Sequence, residues 1–108
     1  MLSYEVKEKT LLVYLPEEVD DHNCRGLQKD TERWLRKYDL QRILFDFSRV
    51  SFMDSSGIGI LLGRYKRMGE LNGDVAVCGV SGRVKRLLHM SGVDRMVKIY
   101  EGSDDGIR

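Results

Sequence analysis

A chain of 108 residues is long enough for one hydrophobic core and too short for two. Eighteen Lys and Arg against 17 Asp and Glu leave a net charge of +1, which gives no electrostatic pull toward nucleic acid. Hydrophobic residues at 42% exclude a disordered chain, and no apolar run approaches a membrane span. The N-terminus lacks the basic, apolar and small-residue regions of a secretory leader, so a cytoplasmic protein with neither membrane nor direct nucleic-acid partners is expected. Cys24 and Cys78 lie far apart without metal-type spacing and read as reduced, partly buried thiols in preference to a disulfide.

Two short runs, Ser3 to Lys7 and Thr10 to Leu15, predict a hairpin around Glu8-Lys9. Pro16 ends the second run because it has no N–H to offer a ladder. A loop through Glu17-Glu18-Val19 leads to Asp20-Asp21, either of which can cap a helix. Leu27, Thr31, Trp34, Leu35 and Tyr38 recur at helical spacing and carry that helix to about Lys37. Ile43-Leu44-Phe45-Asp46-Phe47 predicts a buried strand. Beyond Asp54-Ser55-Ser56-Gly57, a second helix presents Ile58, Leu61, Leu62, Tyr65 and Met68 on one face and ends at Gly69 and Asn72-Gly73. Val75 to Cys78 is a strand. Ser81 caps a third helix with Val84, Leu87 and Leu88 inside, closing at Ser91-Gly92, and Met96 to Tyr100 is the last strand. Strands alternating with helices after a hairpin predict an α/β fold. It is a single domain over residues 1–100 with a mixed, mostly parallel sheet of about five strands and three or more helices. Residues 101–108 read as a C-terminal tail.

The Asp54-Ser55-Ser56-Gly57 turn sets a serine hydroxyl at the mouth of a helix. Asp and Ser are preferred helix caps, and glycine tolerates a tight backbone there, so capping alone explains the composition. A helix start also favours an added anion, which suits phosphorylation as a switch. The two readings coexist if Ser56 or Asp54 caps while Ser55 faces solvent. Self-contained serine chemistry needs a base and an orienting acid. The only histidines are His22 and His89, and Met53 stands where a Gly-x-Ser-x-Gly elbow needs glycine. The protein is therefore read as no enzyme, without cofactor or metal. A separate kinase must bring base, Mg²⁺ and nucleotide. Phosphate would add roughly −1.5 to −2 charges, opposed by Asp54 and favoured by the helix terminus. Its effect is expected on a docked partner rather than on folding.

The stretch Phe52 to Lys66, with Val84 to Val93, closely resembles the anti-sigma factor antagonists of the STAS domain class, sporulation type. The resemblance covers the chain from the first strand to Tyr100. It implies that Ser55 is phosphorylated by a partner that is both anti-sigma factor and serine kinase. The unphosphorylated form then binds that partner and frees a sigma factor, and a serine phosphatase regenerates it. The family also places an acidic residue at the start of the first helix in a Gly-Glu-Leu-Asp-type motif. Glu18-Val19-Asp20 matches its last three positions, which carries Asp20 over as a partner-binding candidate beside Asp54, Ser55, Ser56, Gly57 and Ile58. Pro16-Glu17, Asp21 and Asn23 depart from the pattern. A stress-pathway switch or scaffold on the same fold is the alternative implied.

A nucleotide-binding domain is a further reading, since Gly57-x-Gly59 follows a strand and opens a helix. Leu62 occupies the place of the third glycine, and no Gly-Lys-Ser/Thr loop is present. Gly57, Gly59 and Gly63 then read as sites of tight packing or partner approach. Arg64, Lys66 and Arg67 are placed on the outward side of the second helix, and Arg83, Lys85 and Arg86 on that of the third. Most of these are solvated; Arg64, nearest the turn, is the one expected to meet a partner. His22 reads as a polar loop residue and Trp34 as core.

Overall fold

Alternating and continuous apolar runs become strands wherever a turn residue stops them. The computed structural model describes residues 2–101. In chain order the elements are β1 (Ser3–Lys7), β2 (Thr10–Tyr14), β3 (Glu18–Val19), α1 (Asp21–Lys37), β4 (Arg42–Asp46), β5 (Phe52–Met53), α2 (Ser55–Glu70), β6 (Asp74–Cys78), α3 (Gly82–Ser91) and β7 (Lys98–Tyr100). A 3₁₀ turn, Val93–Arg95, precedes β7. Of the tail expected at 101–108, residues 102–108 lie outside the described residues.

Five strands form one sheet in the order β1-β2-β4-β6-β7; β1 is antiparallel and the others are mutually parallel. The α/β architecture, the mixed sheet of five strands and the three helices are as the sequence predicts. Register aligns Val13 with Phe45 and Phe45 with Val77, so these three stand on one face. Leu11, Ile43 and Val75 share that face and join Leu27 of α1, Leu61 of α2 and Leu88 of α3 in a single core. Leu12, Leu44, Ala76 and Cys78 form a second, smaller cluster on the opposite face, flanked by Tyr14 and Tyr100. Phe45 has no exposed surface, and truncating such a side chain to alanine costs about 3–5 kcal/mol.

The structure corrects three expectations. The loop predicted at Glu17–Val19 contains β3, which pairs in parallel with β5 as a separate two-stranded sheet. The last strand starts at Lys98, because Val93 to Arg95 turn as 3₁₀ helix first. The buried face of α2 is Gly57, Ile60, Leu61, Arg64 and Met68, not the stripe that includes Leu62 and Tyr65. Those two are 36% and 40% exposed. The inward stripe keeps helical spacing but has an arginine in its middle, so hydrophobicity alone rotates the helix to the wrong face.

Other local signals hold. Ser81 caps α3 by accepting from the Val84 N–H at 3.2 Å, and Gly92 closes it with φ 83°. Asn72 turns the chain out of α2 with φ 60°. Cys24 and Cys78 are both free and buried. Trp34, expected in the core, is only half-buried and packs against it between Tyr4 and Tyr38. Among the described residues, no helix is long and apolar enough to cross a membrane.

Candidate functional site

The serine turn is held from below by the β3–β5 pair. Val19 and Met53 are register partners, and the Asp54 N–H donates to the Val19 carbonyl at 3.3 Å. One residue beyond each strand an aspartate caps a helix. Asp20 Oδ1 accepts from the Asn23 N–H at 2.9 Å, and Asp54 Oδ1 accepts from the Ser56 N–H at 2.8 Å. The sequence spells this twice, as Glu18-Val19-Asp20 and Phe52-Met53-Asp54. That repetition is the signal by which the paired strands could have been found.

Asp54 does more than cap. Its carbonyl accepts from the Gly57 N–H at 3.0 Å, so two amides of the first turn are already satisfied. Asp54 thus holds two of the first-turn amides, that of Ser56 with its carboxylate and that of Gly57 with its backbone carbonyl. Ser55, the first residue of α2, is exposed, while Asp54 and Ser56 are half-buried and Gly57 is buried. Ile58 is half-buried and packs against the core.

Of the two roles expected for Gly57, tight packing or partner approach, its surroundings fit tight packing. A Cβ there would collide with Cγ and Sδ of Met53 and stand 3.2 Å from Cγ1 of Val19. The missing side chain lets α2 sit on the two-stranded sheet. Gly59 and Gly63 meet nothing within 4 Å and border an open cleft of about 340 Å³ between α1 and α2, which Cys24, Gln28 and Ser56 also line. Burial, followed by the charges of Asp54, Asp20 and Asp21, pushes the Cys24 thiol up to about 11. The thiol thus feels both capping carboxylates.

Arg64 corrects an expectation from sequence. It does not face outward: only 7% of it is exposed. Its Nη1 donates to Glu32 Oε1 at 2.9 Å, while its Nε is buried with no hydrogen-bond partner among the described residues. Glu32 also accepts from Arg67 Nε at 3.1 Å and lies 3.8 Å from Arg36 Nε. The hydrogen bonds from Arg67 and Arg64 hold the Glu32 carboxyl below the usual carboxylate range. Burying Arg64 is tolerable because a carboxylate from α1 neutralises it. Glu32 is thus a residue that sequence reasoning missed, and nothing in its own neighbourhood of the chain marks it. Lys66, Arg83, Lys85 and Arg86 are exposed as expected; His22 is exposed too, but in the first turn of α1 and not in a loop.

The STAS domain pattern matches residues 1–106 of this chain. The chain belongs to the STAS domain family. An anti-sigma F factor antagonist of Paenibacillus polymyxa is 36% identical over 91 residues, which span 84% of this STAS chain and 78% of that protein. SpoIIAA, an anti-sigma factor antagonist solved in its unphosphorylated form, shares the STAS fold with a TM-score of 0.87 at 24% identity. The match covers 99% of this chain and 93% of that one. The Bacillus cell fate determinant SpoIIAA in its phosphorylated form matches over the whole of both chains, with a TM-score of 0.77 and 24% identity.

Proposed function

We propose that this protein is an anti-sigma factor antagonist whose unphosphorylated form binds an anti-sigma factor with serine kinase activity and so releases a sigma factor. Phosphorylation of Ser55 by that kinase ends the binding, and a serine phosphatase restores it. The observation that carries this reading is the exposed Ser55 hydroxyl at the start of α2, beside a carboxylate already committed to the helix mouth. A phosphate on Ser55 has no vacant amide cradle to fold into at the neighbouring Ser56 and Gly57 N–H groups. Its charge therefore projects outward, where a docked partner would have to desolvate it. The curated relative and the two SpoIIAA structures support the class of function. Asp20, Asp54, Ser56 and Ile58 shape the surface around the hydroxyl; Arg64 acts by fixing α2 against α1.

The test is intact mass and peptide mapping after incubation with Mg-ATP and the anti-sigma kinase of the same genome. One phosphate on Ser55, absent from Ser55→Ala, is the expected result. No phosphate from a kinase active on another substrate would reject the switch.

A further inference from the structure

The first turn of α3 runs against the usual electrostatics of helices. Gly82-Arg83-Val84-Lys85-Arg86 places three cations and no acid at the positive end of the helix dipole. Arg25, Arg33, Arg36, Arg42, Arg64 and Arg67 each have a carboxylate partner. Arg83 and Arg86 form no ion pair among the described residues, and both are exposed. Together they border a socket of about 210 Å³ between β5 and α3, floored by Met53, Val84 and Leu87 and edged by Met90. Met90 is 76% exposed, the most exposed large apolar side chain described. Met53 precedes the Asp54-Ser55 turn directly in the chain.

We propose that this socket receives a large apolar side chain of the partner kinase, flanked there by carboxylates that pair with Arg83 and Arg86. The inference rests on the function proposed above and names a second contact for the same partner. An apolar floor gives the buried anchor, and the unpaired guanidinium groups select an acidic rim on the incoming segment. Lys85 of the same turn pairs with Glu101 at 3.5 Å, whereas Arg83 and Arg86, which oppose their own helix dipole without a partner among the described residues, are relieved by an external anion. The same pair of charges speeds encounter with an acidic surface and makes association salt-dependent.

The experiment measures the affinity of the Ser55-phosphorylating kinase for the full chain at low and at high salt, by anisotropy or calorimetry. Arg83→Glu combined with Arg86→Glu is expected to raise Kd at least about tenfold at low salt and to flatten its salt dependence. The thermal midpoint should not fall, because the new charges agree with the helix dipole. That opposite movement of stability and binding is not what a structural defect produces. Met90→Ser should raise Kd about fivefold at either salt. Lys29→Glu with Lys37→Glu makes the same change of net charge on α1 and should leave Kd as it was.

Unchanged Kd and salt dependence in the α3 variant, with Ser55 still phosphorylated, would overturn the socket and leave the proposed function standing. Equal weakening by the α1 control would also overturn it, as a general charge effect. A kinase that neither binds nor phosphorylates the unaltered chain would remove both proposals.

Discussion

Asp20 and Asp54 follow partner residues of one short parallel ladder, and each caps the helix that begins at the next position. Because Val19 pairs with Met53, the starts of α1 and α2 are brought together by four strand residues outside the main sheet. The charges of both carboxylates, with burial the larger cause, raise the Cys24 thiol. The candidate phosphoacceptor therefore stands on a rigid platform of two capped helices.

Losing a cap should cost measurable stability. Asp54→Ala removes the acceptor of the Ser56 N–H and is expected to destabilise by about 1 kcal/mol in urea unfolding. Asp54→Asn keeps the cap while removing the charge, so most of that loss should be restored. An Asn variant as unstable as the Ala variant would mean that charge rather than the cap holds the turn.

Gly57 and Gly59 should respond in opposite directions to alanine. At Gly57 the added Cβ meets Met53 and Val19, and overpacking there should cost about 1–3 kcal/mol. At Gly59 nothing lies within reach, so gaining alanine's helix propensity should add about 0.5–1 kcal/mol. Equal thermal shifts in the two variants would contradict the packing described.

The contrast shows what the sequence can and cannot tell. Strand runs, the hairpin, the Ser81 cap and the Asn72-Gly73 turn were legible because each is a local interaction between residues a few positions apart, whereas the caps of α1 and α2 were narrowed only to Asp20 or Asp21 and to Asp54 or Ser56. The β3–β5 pair was not, since a two-residue strand carries no periodicity. Nor was the inward face of α2: Arg64 is buried by a carboxylate 32 positions earlier in the chain, and no rule of spacing links Glu32 to it. Ser55 could be singled out from its turn and from family resemblance. Which first-turn amides Asp54 already holds required the hydrogen bonds themselves.

Ser55→Asp should separate folding from binding. A carboxylate in the first turn of α2 gains from the helix dipole but faces Asp54, so stability should stay within about 0.5 kcal/mol of the unaltered protein. Affinity for the anti-sigma kinase should fall at least about tenfold, whereas Ser55→Ala should retain it. Tight binding by the Asp variant would argue against charge-controlled docking.

Glu32→Gln leaves Arg64 buried opposite a neutral group. Breaking a buried pair costs about 3–5 kcal/mol, and partial exposure of Glu32 scales the expectation to about 2 kcal/mol. Its folded carboxyl is held low, so its stabilising contribution is complete above the unfolded value of about 4.3 and disappears as pH falls through the lower folded value. The Gln variant should therefore lose part of the acid-limb slope. Adding Arg64→Met removes the stranded cation together with its unsatisfied Nε, and should recover much of the loss in a double-mutant cycle.

The alkaline limb should carry the signature of Cys24. Its thiol ionises near 9.0 when unperturbed and is pushed up to about 11 in the folded protein. The unfolded chain then gives up this proton first as pH rises, so unfolding is increasingly favoured between the two values. Two pH units of separation correspond to about 2–3 kcal/mol. Below pH 9 the thiol should contribute no slope, and a thiol reagent should react with it slowly in the native state. Cys24→Ala should flatten this part of the stability profile while leaving the contributions of Tyr4 and Tyr14, whose hydroxyls are also raised. Asp20→Asn and Asp54→Asn should each move the thiol back toward its ordinary range, and the sum of their effects should be smaller than that of exposing it, because burial is the larger cause. Thiol titration by ultraviolet absorbance in the unaltered protein and the two Asn variants checks the order. An unchanged profile in Cys24→Ala would show that folding does not raise the thiol.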